Sequence, residues 1–254
     1  MTRVALVTGG GTGIGAAVAR RLAGDGFRVC VSGRRLEPLE AVAAETGGLA
    51  VTADTRDEGE VAALLETVRS RLGSVGALVC CAGTGAAGTV LEQTLERWET
   101  VLSTNLTGVF LVCRAALPHL LETKGSIVTI SSLGGLCAAP ASAAYNASKA
   151  GLIMLTQCLA VDHGAQGVRA NCICPGWIRT PMADEEMDAL GPDREEAYAR
   201  ANALNPLRRP GSPEEVAGAV AWLVGPEASY VNGAVLSIDG GVGALDAGMA
   251  VYVA

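Results

Sequence analysis

Tyr145 and Lys149, in the stretch SAAYNASKAG (142–151), are the first residues in this chain whose types and spacing could do chemistry. On a helix, positions four apart share a face. A free tyrosine, with a pKa near 10, is a poor proton donor or acceptor at neutral pH. A lysine ammonium within ~4 Å would stabilise the phenolate by up to ~4 kcal/mol at moderate dielectric, bringing the pair into working range. Tyr-x3-Lys alone is a frequent coincidence, so its company decides. Ser132 lies thirteen residues upstream, at the end of the apolar run SIVTISS. Asn105 stands inside a helical stretch, where an amide is costly unless it has a task.

A second group lies near the amino terminus. The apolar run RVALVT leads into TGGGTGIG (8–15), with Gly9, Gly13 and Gly15 in the spacing Gly-x3-Gly-x-Gly. Such a turn brings backbone close to a pyrophosphate, which then rests on the amino end of the following helix. The next strand ends in VSGRR, with Arg34 and Arg35 where dinucleotide-binding folds often carry an acid for the ribose hydroxyls. A carboxylate would repel a 2′-phosphate, whereas an arginine grips it with forked hydrogen bonds. The other reading is a pair of solvated arginines opening a helix. We favour the first, and so expect NADP(H) over NAD(H). Asp54, just past the third strand, is placed for the edge of the adenine ring.

These residues need a scaffold, and the hydrophobic pattern supplies one. RVALVT, FRVCVSG, LAVTAD, ALVCC, SIVTISS, VRANCICPG and AVLSIDGG read as seven strands. Helical patterns fall between them: from Ile14 to about Ala23, over 57–72, over about 95–122 and over about 143–163. Asp57 with Glu60, and Ser212 with Pro213, Glu214 and Glu215, have the form of helix starts. Alternating strands and helices predict an α/β fold: a single doubly wound Rossmann-type domain over 1–254, with a mainly parallel seven-stranded sheet and helices on both faces. Ligands of such sheets bind beyond the carboxyl ends of the strands. The polar segment 177–211 reads as an insertion covering the substrate.

Taken together, the motifs resemble the short-chain dehydrogenase/reductase family over nearly the whole chain. The glycine turn, TNLTG around Asn105, ISS ending at Ser132, Tyr145 with Lys149, CPGWIRT and YVNGAVLSIDGG occur in the family's order and spacing. The resemblance implies hydride transfer between a nicotinamide and a carbonyl or secondary alcohol carbon, with Tyr145 moving the proton. It implies that Ser132 hydrogen-bonds the substrate oxygen, that Lys149 lowers the tyrosine pKa and holds the nicotinamide ribose, and that Asn105 carries a water relay to the lysine. The implied cofactor set is Gly9, Thr12, Gly13, Ile14, Gly15, Arg34, Arg35, Asp54, Thr55, Ala82, Gly83, Asn105, Tyr145, Lys149, Pro175, Gly176, Ile178 and Thr180. Thr180 and the Ile178 backbone would meet the carboxamide. A homotetramer is the family's usual state.

Composition excludes other classes. The formal net charge is −7 and 18% of residues are charged, so a nucleic acid or an anionic membrane is not expected as partner. No uninterrupted apolar run approaches the ~18 residues of a membrane span, and MTRVALVTGG lacks the pattern of a secretory signal. A cytoplasmic location is expected. Eight cysteines without zinc-type spacing read as small core residues, and no metal site is expected. His119 and His163 read as surface or capping residues, and Trp98, Trp177 and Trp222 as packing, with Trp177 also placed to line a substrate pocket.

The substrate is less legible. 3-Oxoacyl carrier-protein reductases are the nearest general look-alikes, but Gln166 stands where many of them carry an arginine. The residues from Leu133 to Ala139 are small or apolar, which predicts a neutral or modestly polar small molecule. A non-catalytic dinucleotide-binding regulator would need a broken catalytic set, and all four positions are filled. A sugar-nucleotide epimerase or dehydratase would need an additional carboxyl-terminal domain. One departure from the family pattern is plain: Cys80 and Cys81 precede Ala82 and Gly83 where the family has two asparagines. A thiol ties neighbouring strands only weakly.

Overall fold

The computed structural model describes residues 3–246; residues 1–2 and 247–254 of the domain expected over 1–254 lie outside the described residues. Seven strands, β1 (Val4–Thr8), β2 (Arg28–Gly33), β3 (Leu49–Thr52), β4 (Val75–Cys80), β5 (Ser126–Ile130), β6 (Arg169–Pro175) and β7 (Val235–Ile238), form one sheet in the order β3-β2-β1-β4-β5-β6-β7. Every neighbouring pair is parallel. The fully buried run of β1 follows from this, since a parallel sheet is covered on both faces. The chain reverses its direction of travel across the sheet between β1 and β4, which opens a crevice at their carboxyl ends.

Helices α1 (Gly13–Gly24), α2 (Leu36–Thr46) and α9 (Pro213–Val224) cover one face, with Val18, Leu22, Leu39 and Val220 packed on Ala5, Val7 and Val31. Helices α3 (Glu58–Arg71), α5 (Gly108–Thr123) and α6 (Ala143–His163) cover the other, with Leu64, Val112 and Leu152 packed on Leu6 and Leu78. The expected capping box of α9 is complete. At α3 only half of it forms: Asp57 accepts from the Glu60 amide, while the Glu60 carboxylate accepts from the Asp54 amide.

The helix expected over 95–122 is not uniform. It is α4 (Leu95–Leu102), a π-helical turn (Ser103–Thr107) and α5, continuous over 29 residues. Its most apolar 18 residues have a mean hydropathy of 1.4, enough in length and composition for a membrane span. Val109, Val112, Cys113, Ala116 and Leu120 are buried against the sheet, as in a core helix. His119, expected at the surface, is buried on the same helix with the Val75 amide directed at its Nδ1, and burial lowers its pKa. Its position on the inward stripe of α5 overrides its polarity. His163 does stand at a helix end, with Nδ1 2.8 Å from Gln166 Oε1.

Residues 177–211 contain two short helices, α7 (Pro181–Ala189) and α8 (Arg194–Ala201). They share a small core of Ala183, Met187, Ala197 and Tyr198, separate from the two main layers.

Candidate active site

The glycine turn runs directly from β1 into α1. Gly9 has φ +65°, and a Cβ there would fall 2.7 Å from the Ala82 amide nitrogen, so the turn packs against the exit of β4. At Gly15 a Cβ would meet the Gly9 carbonyl oxygen at 2.2 Å, so only glycine lets the helix start this close to the turn. Thr12 is the N-cap of α1, yet its side chain makes no capping bond, and the first turn carries no acid. The amino end of α1 is therefore free to meet an anion, and the cradle fits a dinucleotide pyrophosphate. Ile14, the second residue of α1, packs against the core on the α1 side.

At the far end, Arg34 and Arg35 are exposed where β2 turns into α2, and Arg35 is that helix's N-cap. Asp54 is already engaged: Arg56 donates to both of its carboxylate oxygens, at 3.0 and 2.6 Å, and holds its pKa below the usual range. The Thr55 hydroxyl is buried toward Gly108, where a Cβ would come within 2.8 Å of it. The Asp54 carboxylate is thus already engaged by Arg56, and the Thr55 side chain is buried.

The remaining residues converge beyond β4 and β5. Asn105 is fully buried in the π-helical turn. Its Oδ1 accepts from the Thr84 amide at 2.8 Å, and its Nδ2 donates to the Thr84 carbonyl at 2.9 Å and to Ser148 Oγ at 3.0 Å. Ser148 in turn donates to the Tyr145 carbonyl at 2.7 Å. One amide thereby ties the loop after β4, the π turn and the first turns of α6. Sequence alone did not single out Ser148; its only signal was a hydroxyl next to Lys149.

Lys149 is 5% exposed and has no carboxylate partner among the described residues; its Nζ donates to the Ile130 carbonyl at 2.9 Å and lies 5.6 Å from the Tyr145 ring centroid. Ser131 Oγ donates to the Lys149 carbonyl at 2.8 Å, locking the helix to the end of β5. Ser132 Oγ accepts from the Gly134 amide at 3.1 Å. A Cβ on Gly134 would stand 2.6 Å from Asn146 Oδ1, 3.5 Å from Ser132 Oγ and 3.6 Å from Tyr145 Cε1, so these three side chains converge at this glycine. A Cβ on Gly83 would stand 3.4 Å from Asn105 Oδ1 and 3.5 Å from Lys149 Nζ. A buried ammonium without a counter-ion is costly unless something anionic or polar comes to it.

From the other side, β6 ends at Pro175 and Gly176 packs on Asp239. Ile178 bridges to Gly211 through bonds made by Trp177 and Arg179, which leave its own N–H and C=O unused in that bridge. Thr180 caps α7, accepting from the Ala183 amide, and its Cγ2 lies 3.1 Å from where Gly13 would carry a Cβ. The segment thus touches the glycine turn.

The cysteines divide as position dictates. Cys80 is buried in the layer that also holds Cys113, and burial pushes the Cys81 thiol up to about 12. All eight are free; Cys137 and Cys158, expected in the core, are exposed because each lies on an outward position of its segment, and the described residues contain no cluster of three or more potential metal ligands.

A family model described as enoyl-(acyl carrier protein) reductase matches residues 9–243. Protein MoaE of Klebsiella aerogenes is 42% identical over 252 residues, covering 97% of each chain. The 2-(R)-hydroxypropyl-CoM dehydrogenase of Xanthobacter autotrophicus is 40% identical, covering 94% of this chain and 98% of its own. Among solved structures, an actinorhodin polyketide ketoreductase with NADPH superposes with a TM-score of 0.92 at 38% identity, covering 96% of this chain and 98% of its own.

Proposed function

The chain belongs to the short-chain dehydrogenase/reductase family, and from that premise we propose that Tyr145 is the acid-base of the reaction. The protein is an NAD(P)-dependent oxidoreductase of alcohols and ketones. When bound, the nicotinamide dinucleotide supplies or accepts the hydride. In the proposal, Ser132 and Tyr145 hold the substrate oxygen by hydrogen bonds, and Tyr145 gives or takes its proton. Lys149 stabilises negative charge on the phenol oxygen and bonds the ribose next to it. Asn105 fixes the loop, the π turn and α6 relative to one another and leads a water path to Lys149. The observation that carries this is the buried, carboxylate-free ammonium of Lys149 beside Tyr145.

We assign the pyrophosphate to Gly9, Thr12, Gly13, Ile14 and Gly15, and the adenosine to Asp54 and Thr55. Ala82 and Gly83 with Pro175, Gly176, Ile178 and Thr180 flank the nicotinamide half. Arg34 and Arg35 favour NADP(H), supported by their exposure and by the lack of an acid at the end of β2. We read 177–211 as the substrate cover, supported by the approach of Thr180 to Gly13. Eight free thiols suit a cytoplasmic location. Exposed Leu95 and Phe110 on one side, and Trp222 and Tyr230 on another, suit a homotetramer.

The test is steady-state turnover of secondary alcohols and ketones by the full chain. Tyr145→Phe should lower kcat by ~10²–10⁴ while NAD(P)H still binds. Near-full turnover would remove Tyr145 from its role. Arg34→Ala should weaken NADPH far more than NADH, and equal effects would remove the arginine argument.

A further inference from the structure

Asn146 follows Tyr145 on α6, and among the described residues its Oδ1 is buried without a hydrogen-bond partner. A lone buried acceptor costs stability, so its place in the fold calls for a reason. The other end of the same carboxamide is engaged: Nδ2 donates to the Ala139 carbonyl at 3.0 Å. Oδ1 is aimed at Gly134, where a Cβ would stand 2.6 Å from it. Ser132 Oγ and Tyr145 Cε1 approach that same point to 3.5 and 3.6 Å. What meets the oxygen there is the α-hydrogen of a glycine, a weak donor. The carboxamide therefore touches the turn 133–139 near both of its ends.

The turn is seated on α6 and not merely near it. A Cβ on Gly135 would fall 2.9 Å from the Lys149 carbonyl carbon and oxygen, so backbone rests on backbone. Ser132 Oγ accepts from the Gly134 amide at 3.1 Å, and any shift of Gly134 moves the donor that orients this hydroxyl. Past the turn, Ala141 has φ +50°, which residues with a Cβ avoid. Such strain persists where neighbours over-determine it. Here the Gly88 amide donates to the Ala141 carbonyl at 2.8 Å, and Asn146 holds Ala139 from the other side. Gly134 itself lies outside the left-handed region, so its backbone would admit an alanine. The atom that excludes one is Asn146 Oδ1.

We propose that Asn146 is a positioning residue: its carboxamide, wedged between the Gly134 α-carbon and the Ala139 carbonyl, sets the approach of Ser132 to Tyr145. This rests on the reading above, in which those two side chains hold the substrate oxygen. Asn146 is given no contact with the reacting atoms and acts only through the turn.

The experiment is a double-mutant cycle in the full chain, with NAD(P)H absorbance followed on a secondary alcohol and its ketone. Gly134→Ala should lower kcat about tenfold to hundredfold, because the new methyl and Oδ1 cannot both keep their places. Asn146→Ala should lower kcat about tenfold through the slackened turn. In Gly134→Ala/Asn146→Ala the methyl enters the space the carboxamide leaves. That double variant should turn over about threefold or more faster than Gly134→Ala alone. Dinucleotide Kd should stay within about twofold throughout, and the solvent deuterium isotope effect on kcat should rise in each single variant, since only the proton step is misaligned. The proposal fails if the two single effects multiply, if Asn146→Ala keeps wild-type kcat, or if losses follow Tm with the isotope effect unmoved. Asn146→Ala decides by kcat and isotope effect alone if Gly134→Ala does not fold. Near-full turnover in Tyr145→Phe sinks the reading beneath; an inactive Tyr145→Phe with an unaltered Asn146→Ala sinks this inference only.

Discussion

The two sides of the cleft are built on different physics. On the sheet side, Asn105, Ser148, Lys149 and Ser131 are buried; Asn105 bonds the Thr84 backbone and Ser148 Oγ, and Ser131 Oγ bonds the Lys149 carbonyl, all at 2.8–3.0 Å. On the covering side, α7 and α8 are joined by exposed ion pairs of Arg179 with Glu195 and of Arg194 with Asp184 and Asp188. The apolar cluster beneath them is small, formed by Ala183, Met187, Ala197 and Tyr198. Buried hydrogen bonds cost much to break because each orphaned group loses its solvation. Exposed ion pairs contribute little and are screened by salt. Proton transfer tolerates little misplacement, and the groups proposed for it sit on the side held by buried bonds. The proposed cover would have to open to admit substrate, and it is held by weak, reversible contacts.

The sharpest way to break this contrast is Asn105→Ala. It orphans the Thr84 amide and carbonyl and releases Ser148, at a cost of ~3 kcal/mol. For a chain of this length that lowers Tm by roughly 6–12 °C. Turnover should fall further than stability explains, because Tyr145 loses its tether through Ser148. Thermal unfolding and kinetics on the same sample check both parts. A Tm within a degree of wild type would show that the sheet side is no more rigid than the cover.

Much of this sheet side could be read from sequence, and the reason is local. Continuous apolar runs mark parallel strands, the glycine spacing marks the turn, and Tyr145 and Lys149 lie four apart on one helix. What escaped depends on contacts distant in sequence. The π-helical turn exists where Asn105 reaches back to Thr84, a partner twenty-one positions away that no helical periodicity reveals. His119 follows its helix face into the core against its polarity. Asp54 spends its carboxylate on Arg56, only two residues on, because the turn between β3 and α3 folds back on itself. The covering side was the least legible. Its charges conceal two helices.

The covering side offers the gentler test, through Arg194. Its guanidinium holds Asp188 at 2.6 Å and Asp184 at 3.4 Å, with side chains between one third and one half exposed. Arg194→Ala should therefore cost ~1 kcal/mol or less in global stability, moving Tm by ~2–4 °C at most. The effect should appear locally instead: faster amide exchange over 181–201, with KM raised and kcat little changed, since the groups proposed to move the proton lie on the other wall. Wild type in ~1 M salt should move in the same direction, because the Debye length there is ~3 Å. The variant should then respond less to salt than wild type does. Equal acceleration of exchange in β5 would mean that the cover and the catalytic wall open as one unit, and the division drawn between them would have to be abandoned.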